Sequence, residues 1–126
     1  MNIVDNEVIV CFDCDDTLVM WDSNHNYQDF PGTPELQQKI PFINPYDNSI
    51  AYLKPHKRHI ELLKQYKGRG FYVRVWSAGG VQWAKAVVET LGLEQYVDSV
   101  ETKPAKYVDD LQAADVLGVR IYIKDE

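Results

Sequence analysis

Cysteine is scarce: Cys11 and Cys14 are the only two among 126 residues. Their C-x-x-C spacing would serve a redox dithiol if the second thiol opened a helix. Here both are woven through an acidic strand end, where neighbouring carboxylates disfavour a thiolate. Two cysteines do not complete a zinc site either, and no further Cys or His pair has the usual spacing. Free, reduced thiols are expected. Long apolar runs are missing as well. None approaches the ~18 residues of a membrane span, and no basic-then-apolar signal pattern opens the chain, so the cytoplasm is the default expectation. Positive charge is in short supply, with 13 Lys and Arg against 19 Asp and Glu and a net charge of -6. That balance disfavours long nucleic acid as the main partner, because phosphate backbones are held by clustered cations.

What is present suits one soluble globular domain over residues 1–126, with 45% hydrophobic and 25% charged residues. The basic residues are uneven: Lys54, Lys57, Arg58, Lys64, Lys67, Arg69 and Arg74 make up seven of the thirteen. The wet face of one helix accounts for them better than a ligand patch. Apolar patterning predicts a strand from Glu7 to Asp13. A helix follows Pro55, with Ile60, Leu62, Leu63 and Tyr66 on one stripe and Gly68 or Gly70 as its stop. "FYVRVW" predicts a strand running into Ser77. "VQWAKAVVETLG" predicts a second helix closed by Gly92. Val97–Val100, Lys106–Val108 and "VRIYI" read as further short strands, with a short helix over Leu111–Leu117. Alternating strands and helices imply an α/β fold: a Rossmann-like three-layer domain with a mainly parallel sheet of about five strands. The stretch 21–51, rich in Pro and Asn, has no helical period and reads as a flap or insert able to hold a hairpin, or as a mobile lid.

Ligands of open parallel sheets collect outside the carboxyl ends of the strands. On that rule Asp13 and Asp15, Ser77 before Ala78-Gly79-Gly80, Lys103, and Asp109-Asp110 converge on one edge. The chemistry is complementary. Crowded carboxylates suit a hard divalent cation, most simply Mg²⁺. Ser77 with amides at a helix start can receive an anion, and Lys103 adds positive charge. Together they describe phosphoryl chemistry.

These residues resemble the motifs of the haloacid dehalogenase superfamily of phosphotransferases. "CFDCDDTLV" is similar to its D-x-D-x-T motif at Asp13, Asp15 and Thr17. "VRVWSAGG" resembles the motif that ends a strand in Ser or Thr. "KPAKYVDDL" resembles the Lys and paired-acid motifs. The resemblance implies Asp13 as nucleophile forming an aspartyl-phosphate and Asp15 as general acid and base. Thr17, Ser77, the amides of Ala78 or Gly79, and Lys103 would serve the loop and the phosphoryl group, with Lys106 as the competing lysine. Mg²⁺ would be held by the Asp13 carboxylate, the Asp15 carbonyl, Asp110, and Asp109 directly or through water. Asp109-Asp110 also suits a helix N-cap. Asp16 stands where many members have glycine. No large cap domain is evident, which implies a capless or minimally capped type. Trp21, Asp22, Asn24, His25, Tyr27 and Asp29 would then lie on the flap near the leaving group.

The expected activity is Mg²⁺-dependent hydrolysis of a phosphomonoester, with a small one as the expected substrate; a sugar phosphate, a phosphoprotein and phosphate ends of nucleic acid stay open. The rival from another class is a receiver-like module in which a phospho-aspartate switches a binding surface. Its acceptor would sit at a middle strand end, where the sequence offers only Asp47.

Overall fold

The structure, a computed structural model, describes residues 8–21 and 39–124. Strand β1 (Ile9–Asp13) is followed by the two-residue β2 (Val19–Met20), β3 (Ile40–Ile43) and β4 (Ile50–Pro55). Helix α1 (Lys57–Gly68), β5 (Tyr72–Ser77), α2 (Val81–Thr90), a short 3₁₀ turn (Glu94–Tyr96), β6 (Ser99–Thr102) and α3 (Ala113–Val116) complete the order. No described helix is long and apolar enough to cross a membrane.

The main sheet is parallel, in the order β1-β5-β6. Its register pairs Asp13 with Trp76 and Ser77 with Thr102, so the strands end together. Strand β5 alternates half-buried Tyr72, Arg74 and Trp76 with buried Val73, Val75 and Ser77. The buried face meets Leu63 of α1 and Ala84, Val87 and Val88 of α2 in one cluster. Truncating a fully buried residue such as Leu63 to Ala would cost about 2–5 kcal/mol.

Two sequence expectations need correction. Among the described residues the sheet has three strands, and its two long helices share one face. Right-handed crossovers that step in one direction, from β1 to β5 to β6, must put both helices on the same side. Among the described residues no helix covers the opposite face: Ile9 is 48% exposed, and across it Arg74 Nε lies 2.8 Å from Glu101 Oε2 as an ion pair without hydrogen-bond alignment.

Lys106–Val108 and "VRIYI" are not strands. Thr102 ends β6 at the carboxyl edge. A parallel strand beginning at Lys106 would have to start at the other end of the sheet. Four residues reach only about 14 Å, whereas a five-residue strand is already about 16 Å long. The last segment spends its backbone groups elsewhere. The Ile123 amide donates to His59 Nε2 at 2.8 Å, and its carbonyl accepts from His56 Nε2 at 2.8 Å.

A second, antiparallel sheet, β2-β4-β3, was not foreseen as such, although part of it falls in the insert. Phe42 and Leu53 from it are buried in the common core. Pro41 lies in the edge strand β3, where a missing amide is tolerated. Between β3 and β4 the tip is tied by Asn44 N–H to Ser49 C=O at 2.8 Å and by Tyr46 N–H to Asn44 Oδ1 at 2.9 Å. "NPYDNS" between two apolar runs was the available hairpin signal.

Candidate active site

The loop after β1 is a tight knot around one carbonyl. Cys14 C=O accepts from the amides of Thr17, Leu18 and Val19 at 3.1, 2.8 and 3.1 Å. This folds Asp13, Asp15 and Thr17 back upon the strand end. Thr17 Oγ1 donates to Asp13 Oδ2 at 3.4 Å, and Lys103 Nζ stands 3.7 Å from Asp13 Oδ1. Cys14 is fully buried beneath the acids. Burial, then the charges of Asp15 and Asp13, push its thiol up to about 12. Cys11 is exposed, and the two thiols are free, as the sequence suggested.

Ser77 is buried at the end of β5. Its hydroxyl accepts from Gly79 N–H at 3.0 Å and its carbonyl from Lys103 N–H at 2.9 Å. The second bond carries the chain from β6 back over the site and sets Lys103 beside Asp13. Lys103 is thereby the lysine brought to the acid, and Lys106 lies in the exposed stretch beyond it. Ala78 and Gly79 are exposed at the turn into α2. The N-cap of α2 is Gly80, without a side chain to give. Thr102 Oγ1 accepts the Val81 amide at 2.9 Å in its place. Thr102 stands 21 positions away, so no local motif could have announced it.

Asp15 has partners that sequence reading missed. Its Oδ1 accepts from Trp21 Nε1 and from Trp83 Nε1, each at 2.9 Å. Two indole donors on one oxygen fix the carboxylate's rotation and leave Oδ2 for other work. Asp16 adopts a left-handed φ of 61°, which accounts for glycine's suitability there. Its Oδ1 accepts the Trp21 amide at 3.0 Å, which turns the extra charge into a loop clamp.

Asp109 and Asp110 are exposed, and Asp109 Oδ1 accepts the Leu111 amide at 2.9 Å. Helix α3 starts later, with Gln112 at its N-cap, so the pair closes a turn and does not cap that helix. Among the described residues no three His, Cys, Asp or Glu gather around one point that a metal ion could occupy. The donors at the strand end nevertheless fit Mg²⁺, which is commonly bound through one or two carboxylates with water and substrate oxygens filling its shell. Asp22, Asn24, His25, Tyr27 and Asp29 lie outside the described residues.

The basic cluster is largely engaged within the molecule. Lys67 pairs with Asp98 at 2.7 Å, Arg74 meets Glu101, and the Arg69 guanidinium lies over the rings of Tyr66 and Phe71. No family model, curated protein or solved structure matches this chain.

Proposed function

We propose that the chain is a Mg²⁺-dependent phosphomonoester hydrolase of the haloacid dehalogenase type, working through an aspartyl-phosphate on Asp13. One observation carries the reading: at the end of a parallel strand the Asp13 carboxylate is held between the Lys103 ammonium and the Thr17 hydroxyl. Lys103 offsets the repulsion between that carboxylate and an incoming phosphoryl dianion. Asp13 attacks phosphorus in line, and the bond to the ester oxygen breaks. Asp15 gives that oxygen a proton, then takes one from the water that attacks the phospho-enzyme and releases phosphate. Ser77 and the adjoining amides receive the phosphoryl oxygens. Bound Mg²⁺ would screen the negative charge collecting there, held by the Asp13 carboxylate and the Asp15 carbonyl with water. The late pair Asp109-Asp110 enters this reading through the resemblance alone. Asp47, needed by a receiver-like module, accepts from Ser49 within the hairpin tip and ends no parallel strand.

The test is hydrolysis of an aryl phosphate with Mg²⁺ and then with EDTA. Turnover should require the metal and fall to background in Asp13→Asn. Lys103→Ala should lose about 10²-fold, whereas Lys106→Ala should retain full activity. Absence of turnover together with absence of Mg²⁺–beryllofluoride binding would remove the proposal.

A further inference from the structure

The geometry points to the cleft beside Asp15 as a leaving-group subsite for a flat aromatic ring, so that the favoured substrates are small phosphomonoesters carrying a nucleobase or a comparable aryl group. This inference rests on the phosphohydrolase reading of Asp13 and Asp15.

The cleft is a cavity of about 230 Å³ whose walls include Asp15, Trp21, Trp83, Tyr46, Asn44 and Ser49. It lies below the ~300–1,000 Å³ of sites for drug-sized ligands, which suits one ring system better than an extended chain. Three of its walls are aromatic. Trp21 and Trp83 stand 6.4 Å apart with 36° between their planes. Both indole N–H edges are spent on Asp15 Oδ1. Trp83 is buried against Phe42 and forms the back wall, whereas Trp21 is 48% exposed and has a face left to offer a ligand. Tyr46 is brought in from the hairpin tip, and its hydroxyl rests against Gly80, where any Cβ would collide with it. Gly80 also has a φ of 107°, so its missing side chain serves both the backbone path and the seat of Tyr46.

The polar groups of the cleft decide between a ring and a sugar. Ser49 Oγ already donates to Asp47 at 2.6 Å, Asn44 Oδ1 accepts the Tyr46 amide, and Asp15 Oδ1 holds two indoles. A hydroxyl-rich leaving group would give up water and find much of this polar capacity committed. The face of a base or aryl ring loses little water and gains stacking, which is tolerant of ring identity. Stacking on one base corresponds to about 5- to 150-fold in affinity. The arrangement couples specificity to chemistry, because the rings that meet the leaving group also hold the acid that protonates it.

The test compares kcat/KM within two matched pairs. One is a nucleoside monophosphate against the ribose phosphate lacking only the base. The other is benzyl phosphate against a straight-chain alkyl phosphate of similar leaving-group basicity. A preference of about 10-fold or more for the ring in either pair, reduced by Tyr46→Ala, is expected; which pair responds tells nucleobase from simple aryl. Equal kcat/KM in both pairs would overturn the subsite and leave the phosphohydrolase reading standing. If no ester is turned over, Mg²⁺–beryllofluoride binding judges that reading and tryptophan fluorescence decides the subsite. Saturable quenching by free nucleoside or benzyl alcohol, weakened in Tyr46→Ala, would support it. No quenching by either would overturn it.

Discussion

Asp16 sits in the left-handed region, where an ordinary side chain costs about 1–2 kcal/mol. Asp is among the few residues that visit it, because its short polar side chain can bond locally. That bond is to the Trp21 amide, while the Asp16 amide donates to Val19 C=O at 2.7 Å. The residue thus holds the loop that carries Trp21 to Asp15. Asp16→Ala should lower stability in urea by about 1–2 kcal/mol, and Asp16→Asn by less than about 0.5. Equal urea midpoints for the Ala variant and the parent would show that the clamp contributes nothing.

At the scale of elements, Asp98 joins three of them at the amino end of the sheet. Its Oδ1 takes Lys67 Nζ of α1 at 2.7 Å, and its Oδ2 takes the Val73 amide of β5 at 2.8 Å, just before β6 begins. Partial burial pushes its carboxyl up, but the Lys67 bond, the Val73 amide and the Lys67 charge outweigh it. The result lies below the ordinary 3.8. A carboxylate lowered in the fold stabilises above its unfolded value, and that stability is lost as pH falls through the folded one. Stability should therefore decline from about pH 5 downward. Asp98→Asn should be less stable at neutral pH and show a shallower acid decline. An unchanged acid slope in the variant would rule Asp98 out as a contributor.

Across the whole molecule, two histidines tie the last described residues to the first loop. His56 and His59 are buried and stacked, with centroids 3.7 Å apart and planes 8° from parallel. Carbonyls only accept, so His59 Nδ1–H donates to Thr17 C=O at 2.7 Å and His56 Nε2–H donates to Ile123 C=O. The remaining ring nitrogens accept from Ile123 N–H and His59 N–H. Tyr122 adds an edge-on ring contact to both and donates its hydroxyl to Asp16 C=O at 3.1 Å. His59→Ala should cost about 2–3 kcal/mol through orphaned buried groups. Ending the chain at Arg120 should also destabilise, and the two changes together should cost less than their sum. Strict additivity in denaturant unfolding would separate the tail from the histidines.

The convergence of Asp13, Thr17, Ser77 and Lys103 was legible because strand ends of a parallel sheet share one edge, and local apolar patterning locates those ends. The same patterning located α1, α2 and the alternation of β5, since each reports burial along its own backbone. It also suggested strands at Lys106–Val108 and Val119–Ile123, where burial was never realised: Val108 and Val119 are 104% and 88% exposed. Local patterning is enough to say which segments want a core and which acids end a strand. Tertiary structure alone decided the partners. Trp83 meets Asp15 across 68 positions, Thr102 caps a helix it does not belong to, and the strand order puts both long helices on one sheet face. Periodicity records that a side chain is buried; which distant group it meets depends on chain reach and crossover hand, which no local pattern encodes.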